Sequence, residues 1–154
     1  IDEDQKNMLG KFSYYLTAFK SVNQVEPFGY RIKYDGSELE GEAVLILVCN
    51  GRYLGSAKLP FPDITAEDGK MNIIIVKNTG LSAVKELFFG DHLNGPEEPS
   101  ESDVVYLQAY EISINTDTEQ DIDKDGELNM RTPAEITVLP GPLSFLLGKS
   151  IDDD

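Results

Sequence analysis

Two acid-rich stretches carry the residue types from which a reaction centre or an ion site is built. The first, Asp63-Ile-Thr-Ala-Glu-Asp-Gly-Lys70, sets three carboxylates, Asp63, Glu67 and Asp68, beside a glycine. Gly69 permits a tight bend that turns backbone carbonyls inward, and oxygen donors of that kind suit a hard cation such as Mg²⁺ or Ca²⁺. The same residues also make an ordinary solvated loop. The second stretch, Asp121-Ile-Asp-Lys-Asp-Gly-Glu127, opens like a calcium-binding EF-hand loop, with Asp at the first, third and fifth places and Gly at the sixth. Such a loop needs a bidentate Glu at the twelfth place, which here is Thr132. Its flanks read as strands, and Pro133 forbids an immediate exiting helix, so the EF-hand reading fails. A glycine bend that presents Asp125 and Glu127 at the end of a strand is still a good perch for a general base.

Two further reactive residue types are weaker candidates. Cys49 is the one cysteine and lies inside an apolar run, with no histidine near it in sequence. A buried thiol of that kind is usually inert, and a single cysteine allows no intramolecular disulfide, which suits a reducing cytosol. His92, the one histidine, lies in a polar loop where a solvated or packing role is the commoner one.

The elements that must position these groups centre on Val44–Val76. Two runs rich in Val and Ile, Val44–Cys49 and Asn72–Val76, flank the first acidic loop and read as strands buried on both faces. Asn50-Gly51 predicts a hairpin that returns through Arg52–Leu59, after which Pro60 and Pro62 stop pairing. Upstream, Met8, Leu9, Phe12, Tyr15, Leu16 and Phe19 recur at helical spacing and predict an amphipathic helix over Met8–Val22. Tyr30–Tyr34 alternates, Asp35-Gly36 turns, and Glu38–Glu42 leads back, which predicts a second hairpin.

Beyond Val76, Ser82 caps a predicted short helix over Ala83–Phe89, closed by Gly90. Asp91–Asp103 reads as a surface loop. Val104–Ile114 alternates with a change of phase and predicts one long or bent strand. Asn115–Gly126 reads as a loop, and Ala134–Leu139 forms a final hairpin with Leu143–Leu147 across Pro-Gly-Pro. Strands strung on frequent turns, with one or two short helices, make a mainly β, antiparallel β-sandwich the expected class. The expected layout is an N-terminal segment and helix over 1–25, a sandwich over 26–148 and a polar tail over 149–154.

A chain of 154 residues is long enough for one domain with a real core. Its 28 acidic and 13 basic residues give a net charge of −15, which repels nucleic acid and disfavours anionic headgroups. No apolar run approaches the ~18 residues needed to cross a bilayer, and no basic-then-apolar leader is present. The expectation is a cytoplasmic protein whose membrane contact, if it has one, is peripheral. Ile1 in place of Met suggests a processed chain or a piece of a longer one.

Several features together resemble one family. Asn50-Gly-Arg-Tyr-Leu-Gly55, Pro62-Asp63 and Glu67-Asp-Gly69 ahead of an apolar strand are similar to the C-terminal domain of bacterial diacylglycerol kinases and YegS-like lipid kinases, relatives of sphingosine kinases. The resemblance extends through Gly90-Asp-His-Leu-Asn94, Asp125-Gly-Glu127, Thr132-Pro133 and Val138-Leu-Pro-Gly141. It also takes in the Leu9-Gly-Lys-Phe-Ser-Tyr-Tyr15 helix, and so spans nearly the whole chain.

The resemblance implies a two-domain phosphotransferase of phospholipid metabolism. An N-terminal domain binds ATP through a Gly-Gly-Asp-Gly-Thr loop, and a sandwich of the diacylglycerol and NAD kinase-like fold completes the cleft. No Gly-Gly-Asp-Gly-Thr occurs in this chain, which is therefore expected to be inactive without the ATP-binding domain as its partner. The family's general base falls on Glu127, with Asp125 beside it. A structural Mg²⁺ falls on the Asp68 carboxylate and on the carbonyls of Thr65 and Lys70, and a second Mg²⁺ accompanies ATP. Glu67 and Asn72 stand where the family more often has Asp, and the long Asn115–Lys124 stretch bears on the approach to Glu127. The acceptor is a lipid alcohol such as diacylglycerol, with sphingosine-like or undecaprenol-like alcohols as variants, and a homodimer is common in the family. The alternative is a non-catalytic acidic β-domain that binds a divalent cation or a protein partner through the two loops.

Overall fold

The computed structural model describes residues 26–51, 53–54, 57–58, 68–78, 102–139 and 141. The helices expected over Met8–Val22 and Ala83–Phe89, the Leu143–Leu147 strand and the tail from Lys149 lie outside the described residues. Within them the chain is an antiparallel β-sandwich with no helix.

Alternation builds the first layer. In β1 (Phe28–Tyr34), Tyr30 and Ile32 are buried while Arg31 and Lys33 are exposed. Asp35 and Gly36, at φ 44° and 81°, turn the chain into β2 (Ser37–Ala43), which pairs with β1 from Tyr34↔Ser37 to Phe28↔Ala43. Two positive φ values are what a two-residue hairpin turn with the right strand twist demands, so the Asp-Gly signal is borne out. β2 is an edge of this sheet and carries Glu38, Glu40 and Glu42 outward; Arg31 pairs with Glu40 and lies 3.7 Å from Glu38 across the ladder. The other side of β1 holds β8 (Glu111–Thr116), and β8 holds β11 (Ala134–Thr137), giving the order β11-β8-β1-β2.

The second layer runs β3-β6-β7, from Leu45–Cys49, Met71–Val76 and Val104–Ala109. Central β6 is buried at all six positions, as its run of Ile and Val predicts, and Asn72 is the one polar residue in it. Its Met71, Ile73 and Ile75 meet Val105 and Ala109 of β7, and together they pack against Tyr30, Ile32, Ala43, Ile112 and Ile114 of the first layer. That cluster is the core. At about 25 cal/mol per Å² of apolar surface removed from water, it is the dominant stabilising term of the domain.

Three expectations need correction. Of the expected return strand, the described Tyr53–Leu54 and Ala57–Lys58 do not pair with β3. Instead β3 pairs with β6 from Leu45↔Val76 to Cys49↔Asn72, while Tyr53–Leu54 (β4) and Ala57–Lys58 (β5) pair with each other. β6 sets Ile73 and Ile75 opposite Val48 and Ile46 on the core face, a better match than the mixed 52–59 run. Nor is β3 buried on both faces: it is half-buried throughout, as suits a strand with one ladder partner. Lastly, Val104–Ile114 is not one strand. It breaks at Tyr110 into β7 and β8, which belong to different layers, and the change of phase in the sequence marks that crossing.

Candidate active site

Between β8 and β11 the chain leaves the sandwich as an arm. β9 (Asp121–Lys124) and β10 (Glu127–Arg131) form their own two-stranded sheet, joined by Asp125 and Gly126 at φ 54° and 92°. This is the same turn chemistry as Asp35-Gly36. The Gly126 amide donates to the Asp123 carboxylate at 2.7 Å and fastens the turn. Half of what read as an Asn115–Gly126 loop is therefore strand. Short strands this rich in charge read as loop, although Glu127–Arg131 does alternate polar and apolar residues.

The base of the arm is tied down by Thr132, the residue that replaces the calcium-binding Glu. Its side chain is buried, and its Oγ1 accepts the Gln120 amide at 2.9 Å and shares a hydrogen bond with the Thr116 hydroxyl. The Thr132 amide in turn donates to the Gln120 carbonyl at 3.0 Å. On the surface, Arg131 bridges Glu119 at 2.6 Å and Asp121 at 2.8 Å, and these two carboxylates hold its guanidinium above its ordinary range.

Asp125 and Glu127 both lie exposed at the arm's tip, as the sequence expected. Glu127 is the first residue of β10, and its Oε2 accepts the Asn129 side-chain amide at 3.1 Å. Asn129 is the extra residue of a β-bulge, since the register shifts between Leu128↔Asp123 and Met130↔Ile122. Sequence reading missed this bulge, because register is a property of the pair of strands and not of either alone. The carboxylate is accessible, and one neutral donor orients it.

The turn ahead of β6 carries the other candidates. Asp68 is exposed, its Oδ1 accepts the Lys70 amide at 2.9 Å, and Gly69 adopts φ 73° between them. The Lys70 ammonium sits 5.4 Å from the centroid of the Tyr110 ring. Thr65, Asp63, Glu67 and His92 lie outside the described residues. Among the described residues no group of three or more His, Cys, Asp or Glu side chains could hold a metal ion. A site built from one carboxylate and backbone carbonyls needs no such cluster. The bend lies by Tyr110 at one end of β8, whereas the arm springs from the other. The arm's base and the Asp68 turn are thus separated by about 17 Å of strand, at 3.3–3.4 Å per residue.

Cys49 is half-buried; its thiol donates to the Asn72 carbonyl at 3.7 Å, and burial pushes its pKa up. Both facts oppose a nucleophilic role. Asn72 itself is 0% exposed and joins three strands. Its Oδ1 accepts the Tyr106 hydroxyl at 2.6 Å and the Gln108 amide at 2.9 Å, and its Nδ2 donates to the Cys49 carbonyl at 3.4 Å. Its role visible here is to satisfy a buried polar network, which a charged Asp would do at greater desolvation cost.

Among the described residues no helix is long and apolar enough to cross a membrane. Among the described residues, fold and arm together define an antiparallel β-sandwich with an acidic hairpin in a sheet of its own. The family described as the YegS C-terminal NAD kinase beta sandwich-like domain matches residues 2–147, and the chain belongs to it. A Staphylococcus carnosus protein named "Putative lipid kinase" is 33% identical over 147 residues, covering 95% of this chain and 47% of its own length. A Staphylococcus aureus (strain Newman) protein of the same name is 28% identical, with 95% and 48% covered. A crystal structure described as a putative diacylglycerol kinase from Bacillus anthracis superposes with a TM-score of 0.66 at 39% identity, covering 86% of this chain and 45% of that one. Another Bacillus anthracis structure of that description gives 0.65 at 37% identity over 90% and 46%. The chain thus spans about half the length of the relatives it matches.

Proposed function

We propose that this chain is the sandwich part of an ATP-dependent lipid kinase that phosphorylates the hydroxyl of diacylglycerol or a similar lipid alcohol. The carrying observation is the presentation of Glu127: an exposed carboxylate at the tip of an anchored arm, fixed by a tight turn and oriented by Asn129. Family membership and the names of the relatives support the substrate class.

In this reading the acceptor oxygen attacks the γ-phosphorus of ATP while Glu127 takes its proton. The bond from the γ-phosphorus to the β–γ bridging oxygen breaks, ADP leaves, and the products are a phosphorylated lipid and a protonated carboxyl that returns its proton to water. Asp125, at φ 54° in the turn, sets where Glu127 stands and adds negative potential beside it. Mg²⁺ carried with ATP neutralises charge on the phosphates. The chain contains no Gly-Gly-Asp-Gly-Thr or Walker-type loop, so ATP is held by the rest of the relatives' length, and the sandwich alone is inactive. Asp68, with the carbonyls of Lys70 and Thr65, would hold a second, structural Mg²⁺ that stiffens the bend ahead of β6.

The test is Glu127→Gln in the full-length protein that contains this chain. Loss of a general base lowers kcat about 10²–10⁴-fold and leaves ATP binding unchanged. Near-normal turnover removes Glu127 from the role.

A further inference from the structure

We propose that the arm also holds the hydrocarbon of the acceptor, through Ile122 and Met130 on the face that carries Glu127; this rests on the lipid-kinase reading above. Cross-strand partners share a face of an antiparallel ladder, as do residues two apart on one strand. Glu127 pairs with Lys124, and Met130 pairs with Ile122, two residues back along β9 from Lys124. All four therefore lie on one face. In an unbroken ladder Met130, three residues from Glu127, would lie on the opposite face. The extra residue Asn129 brings it across, and the Asn129–Glu127 hydrogen bond is made on that same face.

From the tip, this face passes from charged to apolar before it reaches the polar Gln120 and Thr132 at the arm's base. The tip is charged, with Lys124 and Glu127, and the next pair toward the base is apolar, with Ile122 and Met130, about 7 Å farther on. A lipid alcohol has the same order: a hydroxyl, a short polar link, then hydrocarbon. Met130 is 45% exposed, so apolar surface is offered beside the carboxylate that must meet the hydroxyl. An unbranched thioether side chain adapts to a flexible acyl chain. The opposite face lacks this order. There Leu128 sits at the tip beside Asp123, and the pair toward the base is Arg131 with Asp121, ion-paired at 2.8 Å.

The two faces supply the control. In the full-length protein, Met130→Gln, Ile122→Thr and Leu128→Gln are assayed on long-chain diacylglycerol in mixed micelles and on water-soluble dibutyrylglycerol. The expected result for Met130→Gln and Ile122→Thr is a KM for the long-chain acceptor raised about tenfold, with kcat, the KM for ATP and the short-chain kinetics unchanged. Leu128→Gln is expected to match the wild type on both acceptors, and all three variants to melt within a few degrees of it. Equal losses on both acceptors, or a loss in Leu128→Gln as large as in Met130→Gln, would overturn the inference, since an arm packed on another protein part behaves that way. An unchanged long-chain KM in Met130→Gln and Ile122→Thr overturns it too. Wild-type protein that phosphorylates neither acceptor refutes the diacylglycerol kinase reading first, and this inference with it.

Discussion

The carboxylate of Asp35 accepts the main-chain amide of Tyr110 at 3.0 and 3.2 Å from its two oxygens, and that of Glu111 at 3.1 Å. A turn residue of the β1–β2 hairpin thereby holds the point where the chain crosses from one layer to the other. The Tyr110 carbonyl accepts the Val138 amide at 2.9 Å, so the corner is pinned from both sides.

Asp35→Ala removes these charge-assisted bonds and puts a β-carbon with no compensating polar group at φ 44°. A loss of about 2–3 kcal/mol in urea denaturation is expected. Asp35→Asn tolerates the same backbone and keeps one acceptor oxygen, and should lose about half as much. Equal stability of all three proteins would show that the corner is held by packing alone.

Thr132→Val replaces a buried hydroxyl with a methyl group of the same shape and leaves the Gln120 amide without its acceptor. The expected cost is about 1–3 kcal/mol. Faster hydrogen exchange should be concentrated in 117–131, and Thr132→Ser should restore most of the protection. Kinase turnover of the full-length protein should fall with it, because the same hydroxyl anchors the arm that carries Glu127.

The Asp68 bend predicts a cation-dependent melt. Mg²⁺ at ~100 times its dissociation constant should add about 2.7 kcal/mol, a rise of roughly 5–10 °C for a domain of this size. Asp68→Ala should abolish the rise. A wild-type melt indifferent to Mg²⁺ withdraws the structural cation and leaves the Glu127 reading untouched.

Burial raises the pKa of Cys49 and of Tyr30. Each group binds its proton more tightly in the folded chain than in the unfolded one. Their contribution to stability is therefore whole below the unfolded values and is lost as pH climbs through the folded ones. The free energy of unfolding should begin to fall above about pH 8.5, where a free thiol ionises, and Cys49→Ala should delay the onset. At neutral pH the Cys49 thiol should react with disulfide reagents at least about tenfold more slowly than free cysteine.

Much of this could be read from residue order because local and global preferences agree. Tyr30–Tyr34 alternates and Asp35-Gly36 turns; Met71–Val76 is apolar but for Asn72 and is buried at every position. The phase change within Val104–Ile114 reads as a bend in one strand, whereas the chain breaks at Tyr110 into two strands that serve two layers. Asn50-Gly51 misled because a turn signal says that the chain bends and not which strand becomes the neighbour; long-range apolar matching gave β3 to β6. Asp125-Gly126 carried the same signal as Asp35-Gly36, but strands as charged as Asp121–Lys124 and Glu127–Arg131 gave it no frame. Of the site, the placement of Asp125 and Glu127 was legible as a pair on a glycine bend. Asn129, Met130 and Thr132 were not, since a bulge, a shared face and a buried anchor exist only once two strands are paired.

The crossing at Tyr110 gives two sheets a single register. Slippage that keeps apolar residues on the core side must proceed by two residues at a time. Were β7 to slide so along β6, the same main chain would drag β8 past β1 and β11, draw Tyr110 off Asp35, and misalign the β6–β7, β1–β8 and β8–β11 ladders together. An alternative pairing in one layer alone has no continuous path for the chain, and so this seam proofreads the assembly of both.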